Sequence, residues 1–212
     1  MRRAITSRNY KGRKVKVLQL GIEKKQNSVI GILKEEILSG NIPCGTEMTQ
    51  TELAESLGVS RMPVREALIL LEYQGLVERL PNNHVKVTEF GENYFKEVFS
   101  LCEQLERSVL ASGYVPEEPE QQSRFTEYSL EEMMLHHQIS RKLCNVFLRK
   151  TLDTILDIYV DFAIKCRAYN QKQGEELFKS ALYASPEHRK TLLNQYFSEL
   201  ERVILAERSS RC

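Results

Sequence analysis

The stretch Leu53-Ala54-Glu55-Ser56-Leu57-Gly58-Val59-Ser60-Arg61-Met62-Pro63-Val64-Arg65-Glu66-Ala67-Leu68 reads as two short helices meeting at a glycine, the second opening with arginines. Gly58 supplies the tight turn, because glycine takes a positive φ at little cost. Ser60 stands where a serine caps the following helix by accepting a hydrogen bond from one of its free amides. Val64, Ala67, Leu68 and Leu71 recur at helical spacing and predict an inward face, while Arg61 and Arg65 share another face near the helix start. Side chains at that end of a recognition helix reach base edges in the major groove, where arginine bridges guanine O6 and N7 or grips phosphate. A solvated helix with two arginines at its start has the same local pattern, so the flanks decide.

Downstream, the helix runs through Ile69-Leu70-Leu71-Glu72-Tyr73-Gln74 to Gly75, and Leu76–Leu80 and Val85–Thr88 read as strands around Pro81-Asn82-Asn83-His84, a β-hairpin wing. Upstream, Val29, Ile30, Leu33, Ile37 and Leu38 make a helical stripe that stops at Ser39-Gly40. Helix, helix, turn, helix and wing together predict a winged helix-turn-helix.

The charge distribution agrees with this reading. The chain has 212 residues, 42% hydrophobic and 28% charged, with a formal net charge of only +1, room for two modest domains of ordinary soluble composition. Residues 1–90 carry 14 Lys or Arg against 10 Asp or Glu, whereas residues 91–212 carry 16 against 19. The basic half is the half with the helix-turn-helix, as attraction to phosphate requires. Five cysteines without paired short spacing point to reduced thiols in a cytoplasmic protein, and no apolar run approaches membrane-spanning length. Residues 1–24 form a basic extension containing Arg2, Arg3, Arg8, Lys11, Arg13, Lys14 and Lys16, either an arm that tracks the DNA backbone or a leader whose charge has no role.

After residue 90 the pattern is helical. Val98, Leu101, Leu105, Val109 and Leu110 predict a helix from Tyr94 through Ala111 closed by Gly113, followed by helices over about 126–143 and 147–169. Ser185-Pro186-Glu187 opens a last helix reaching about Ala206. With no strand-like segment, residues 91–212 are expected to form an all-α antiparallel bundle, so the fold class is mainly α: a winged helix-turn-helix over 25–90, then the bundle.

The run from Ile37 to Val87, with Pro43-Cys44-Gly45-Thr46, Glu52-Leu53-Ala54, Ser60-Arg61-Met62-Pro63-Val64-Arg65-Glu66-Ala67-Leu68 and Glu72-Tyr73-Gln74-Gly75-Leu76-Val77, resembles the GntR family of bacterial transcription regulators over about a quarter of the chain. Cys44 departs from the usual Pro-Gly pair, and His84 stands where the wing tip is usually glycine. The resemblance implies double-stranded DNA as partner, a homodimer on a pseudo-palindromic operator, and DNA contacts from Thr49, Ser60, Arg61, Met62, Pro63, Arg65, Asn83 and His84. For His84, contact with DNA and shaping of the turn both remain open.

The bundle resembles, less closely, the FadR-type C-terminal ligand-binding domain. Glu132-Met133-Met134-Leu135-His136 is similar to its acid-x-x-aromatic-histidine motif, Asn145 follows nine residues after that histidine, and Glu187-His188 opens the last helix. The resemblance implies a small-molecule effector and a divalent metal such as zinc or nickel on Glu132, His136 and His188. An acid and a histidine four apart share a helix face. The set is incomplete: the last family histidine falls near Ser210, and the family arginine that anchors a carboxylate effector falls at Cys102, four residues before Glu106. His136 is equally readable as a hydrogen-bonded core residue, and the bundle as a dimerisation or protein-contact module. A hydrolytic enzyme using Glu132, His136 and His188 is the least supported reading, because no nucleophile or general-base motif accompanies them.

Overall fold

The computed structural model describes residues 5–8, 14–17, 28–117 and 128–210. The chain divides into two compact units between Gly91 and Glu92.

In the first unit the backbone of the basic extension pairs β1 (Ile5–Arg8) with β2 (Lys14–Val17) as antiparallel strands; Arg2, Arg3, Lys11 and Arg13 lie outside the described residues. Helix α1 (Val29–Leu38) starts at Ser28, whose hydroxyl accepts from Gly31 N–H at 3.3 Å. Strand β3 (Glu47–Met48) precedes α2 (Gln50–Leu57), α3 (Arg61–Tyr73) and the wing strands β4 (Val77–Arg79) and β5 (Val85–Val87). The sheet order is β3-β5-β4, so the wing is three-stranded. The two-residue β3, which pairs Met48 with Val85, has no periodicity to announce it in the sequence.

Gly58 ends α2 at φ 64°, and Val59 N–H returns to the Ala54 carbonyl at 3.1 Å. That is a Schellman closure, which requires the left-handed residue glycine supplies. Val64, Ala67, Leu68 and Leu71 are buried as their spacing predicts, joining Leu33, Ile37, Leu53 and Leu57 in one core.

The second unit contains α4 (Tyr94–Leu110), α5 (Tyr128–Ser140), α6 (Val146–Ile155), α7 (Asp161–Lys165), α8 (Gln171–Tyr183) and α9 (Pro186–Ser209). A π-helical stretch, Leu156–Val160, joins α6 to α7 without a break. Two expectations are corrected. The buried stripe of α4 runs through Phe95, Phe99, Cys102, Glu106, Val109 and Leu110, while Leu101 is exposed, because buried polar groups interrupt the apolar period. Helix α8 has no counterpart among the helices the sequence predicts: its first turn is Gln171-Lys172-Gln173-Gly174, and its inward face carries only Gly174, Phe178, Ala181 and Leu182.

Arg189 fixes the start of α9. Its guanidinium donates to the carbonyls of Leu110 at 2.9 Å and Ala184 at 3.0 Å, and so satisfies free carbonyls at the ends of α4 and α8.

Candidate nucleic-acid interface and the polar core of the bundle

A groove of about 380 Å³ in the first unit is lined by Thr49, Gln50 and Thr51 at the start of α2, Arg61 and Arg65 on α3, and Arg79, Asn82, Asn83 and His84 of the wing. None of these nine residues bears a carboxylate. The fold therefore brings together Thr49, Arg61, Arg65, Asn83 and His84 from the sequence-predicted set, and adds Gln50, Thr51, Arg79 and Asn82.

Local geometry explains each position. Thr49 closes a capping box with Glu52: its hydroxyl accepts from Glu52 N–H at 3.1 Å, and the Glu52 carboxylate accepts from Thr49 N–H at 2.9 Å. Gln50 and Thr51 are thereby held at the mouth of the groove. The wing tip turns through Asn83 at φ 61°, a conformation asparagine tolerates, and the Asn82 side-chain oxygen accepts from His84 N–H at 3.1 Å.

Ser60 corrects an expectation. It occupies the N-cap position of α3 with extended backbone, yet its side chain makes no capping bond. The third helical residue is Pro63, which has no N–H, so the usual partner of a capping serine is absent. Ser60, Arg61 and Met62 are all exposed at the start of α3. Ser60, Met62 and Pro63 do not line the groove; Ser60 and Met62 are exposed beside it.

In the second unit the predicted metal ligands do not converge. Glu132 and His136 are fully buried, but His188 is exposed and meets Ser185 Oγ through Nδ1 at 3.0 Å. The α9 residue that reaches His136 is Tyr196, eight residues and roughly 12 Å of helix beyond His188. Motif spacing places His188 on α9 but not at the depth of the core. Both His136 nitrogens are engaged, Nδ1 with Glu106 Oε1 at 2.5 Å and Nε2 with the Tyr196 hydroxyl at 2.9 Å. No lone pair is left for a metal. Among the described residues no group of three His, Cys, Asp or Glu side chains is placed to hold one.

What the core holds instead is a chain of hydrogen bonds. Tyr169 donates to Glu132 Oε1 at 2.7 Å, Tyr196 donates to the same oxygen, and Tyr196 links through His136 to Glu106. Phe178 stacks on the imidazole with centroids 4.0 Å apart. Burial pushes the Glu132 carboxyl up, with hydrogen bonds from Tyr196 and Tyr169 and the nearby His136 opposing. Burial and the neighbouring carboxylate push the phenols of Tyr196 and Tyr169 up, so both stay donors. Glu106 Oε2 and Glu132 Oε2 are buried without a hydrogen-bond partner among the described residues.

Tyr169 reaches Glu132 only because α8 carries Gly174: a Cβ there would lie 1.9 Å from the Tyr169 hydroxyl. Asn145 is a cap, its side-chain oxygen accepting from Phe147 N–H at 2.9 Å and Leu148 N–H at 3.2 Å. His137, the neighbour of His136 in the chain, is half-buried between Asp153 at 3.5 Å and Asp157 at 3.3 Å.

Residues 25–87 match the sequence family described as bacterial regulatory proteins, gntR family. The chain is 33% identical to the HTH-type transcriptional regulator YdhC of Bacillus subtilis (strain 168) over 100 residues, 47% of this chain and 44% of that one. It is 47% identical over 49 residues to an HTH-type transcriptional regulator in an unstable DNA locus of Streptomyces ambofaciens, 23% of this chain and 21% of that one. The chain thus spans less than half the length of these relatives. Among solved structures it is similar to Lar, which controls the expression of the Listeria monocytogenes agr system and mediates virulence, at TM-score 0.52 and 19% identity over 87% of this chain and 99% of that one. It is also similar to a transcriptional regulator, GntR, from Rhodococcus sp. RHA1, at TM-score 0.52 and 17% identity over 84% and 96%. At those identities the likeness is one of fold: a winged helix-turn-helix followed by a helical domain. The part of the chain that is similar to the gntR family, residues 25–87, is the part that folds as the N-terminal winged helix-turn-helix.

Proposed function

We propose that this protein is a cytoplasmic, DNA-binding transcription regulator that acts as a homodimer on a pseudo-palindromic operator. The observation that carries the reading is the groove in which Arg61 and Arg65 meet the wing tip, Asn82, Asn83 and His84, with no carboxylate among the lining residues. Arginines at the start of a recognition helix read base edges, a wing contacts the flanking backbone or minor groove, and phosphate is drawn to the uncompensated charge. One such unit reads only a few base pairs, so two copies are needed for a specific site. A small-molecule effector on the bundle shifts operator affinity through unequal affinity for two conformations, and repression is the mode. Among the described residues no helix is long and apolar enough to cross a membrane.

The polar core supports a second reading of the bundle. Tyr169 and Tyr196 engage Glu132 Oε1, and Glu106 and Tyr196 engage both nitrogens of His136, from within the chain, which favours a dimerisation or protein-contact module over a metal-dependent ligand sensor. Selection of duplexes from a random pool by the purified protein tests the DNA reading. An enriched sequence bound far tighter than a scrambled duplex at the same salt, by two protomers, is expected; no enrichment refutes it. Screening that duplex's affinity against small-molecule pools then separates sensor from module.

A further inference from the structure

Arg79 lines the groove although nothing in its sequence context marks it as functional. Strand β4 alternates: Val77 points into the core, Glu78 points away, and Arg79 returns to the Val77 side where the core has ended. Its side chain therefore runs along α3. There Nε and Nη2 both donate to Glu72 Oε2, at 3.0 and 2.9 Å, joining the wing to the recognition helix. That contact uses the side of the guanidinium facing the helix and leaves Nη1, with two hydrogens, uncommitted among the described residues. The other wing cation is different. Lys86, opposite Glu78 on the outer face, lies 3.6 Å from Glu78 and 3.8 Å from Glu89 and does not line the groove.

We propose that Arg79 is a DNA-phosphate contact of the wing, held against the recognition helix by Glu72; this rests on the DNA-binding reading above. With the start of α3 in a major groove and the Asn82-Asn83-His84 tip beyond its edge, the strand of phosphates between them crosses the groove wall that Arg79 supplies. Arg79 is the third guanidinium on that wall. Its place on a strand between the reading helix and the wing tip suits register-setting contact with the backbone.

A mere tie between α3 and β4 and a phosphate contact make different predictions when the same ion pair is broken from either side. The probe is a mixed-sequence duplex a few helical turns long, titrated by fluorescence anisotropy across a salt series with the full chain. Arg79→Gln is expected to weaken binding and reduce the slope of log affinity against log salt by about 0.9 per chain bound, the loss of one phosphate contact. Glu72→Gln, which keeps an acceptor for Arg79 and removes a negative charge near the groove, is expected to bind as well as wild type or better with its slope unchanged. Lys86→Gln is expected to match wild type. Equal weakening by Arg79→Gln and Glu72→Gln makes the pair a structural tie and overturns the proposal, as does an unchanged slope in Arg79→Gln. Wild-type binding without salt dependence overturns the DNA reading itself. Arg79→Ala and thermal melts of each variant separate lost contact from lost fold.

Discussion

Gly174→Ala is a substitution for which helix propensity and the packing around Tyr169 predict opposite signs. Alanine is the better helix former, and in an exposed helix interior the change stabilises by about 1 kcal/mol. Gly174 is buried, however, and the new Cβ would lie 1.9 Å from the Tyr169 hydroxyl and 2.3 Å from Cζ. Contacts that short cannot be absorbed by tenths of an ångström. If the ring stays, the strain of an overpacked core is about 1–3 kcal/mol; if it leaves, Glu132 loses a buried hydrogen bond of about the same worth. Taking the middle to upper part of that range and subtracting the propensity gain leaves a net loss of about 1–2 kcal/mol. Urea unfolding followed by far-ultraviolet dichroism measures it, with Tyr169→Phe and the double variant completing a cycle. The double variant should lose less than the sum of the singles, because Gly174→Ala has little hydrogen bond left to break once the hydroxyl is gone. A Gly174→Ala protein more stable than wild type, or strict additivity in the cycle, refutes the argument that the glycine exists to admit Tyr169.

Replacing His136 with Ala strands Glu106 in the core and should cost about 3–5 kcal/mol, while zinc added to the wild type leaves its melting temperature unchanged; a zinc-dependent rise that His136→Ala abolishes contradicts the hydrogen-bonded assignment. Arg65→Ala should weaken binding to the selected operator by about 1–3 kcal/mol with a smaller effect on mixed-sequence DNA; equal losses on both exclude base readout. His137 is raised above the ordinary imidazole value, first by its hydrogen bond to Asp157, so its contribution to stability is fully present below about pH 6.5 and fades as pH rises through the higher folded value. Glu132, raised by burial, has the same sign: the folded state holds its proton to higher pH, and stability falls as pH rises above the ordinary carboxylate range. Unfolding free energies measured over pH 4.5–8 should therefore decline toward neutrality at these sites, His137→Gln removing the upper part of the decline and Glu132→Gln the lower; variants with the wild-type slope would disprove the linkage.

Where the sequence was informative, structure is set by neighbours in the chain. Gly58 needs only its own left-handed φ to end α2, and the face of Val64, Ala67, Leu68 and Leu71 needs only the helical period. The same locality explains Arg61 and Arg65: a cation four residues from another, just after a turn, is displayed whatever surrounds it. Arg79 was hidden for the opposite reason. A three-residue strand leaves facing ambiguous until the core edge is known, and only the pairing of Val77 with Val87 and of Arg79 with Val85 determines that Arg79 runs beside α3.

The bundle was least legible where its core is polar. Glu103, Glu106, Glu132, His136 and Ser140 are buried, and each replaces a hydrophobic signal with one that reads as surface; the two on α4 are why its stripe reads as running through Leu101. Burying such groups is tolerable only where partners satisfy them, and for Glu106, Glu132 and His136 the partners lie 30, 37, 60 and 64 residues away in sequence. Glu132 and His136, four residues apart on α5, share a helix face and are both buried. Which group completes that pair is decided by depth along α9, where Tyr196 sits level with them and His188 lies two turns short. A sequence motif records residue types and intervals along one helix; it carries no information on how far a neighbouring helix has slid. The change from a metal-type pattern to a phenol-linked network is therefore a consequence of axial register, fixed here by Arg189 binding the ends of α4 and α8.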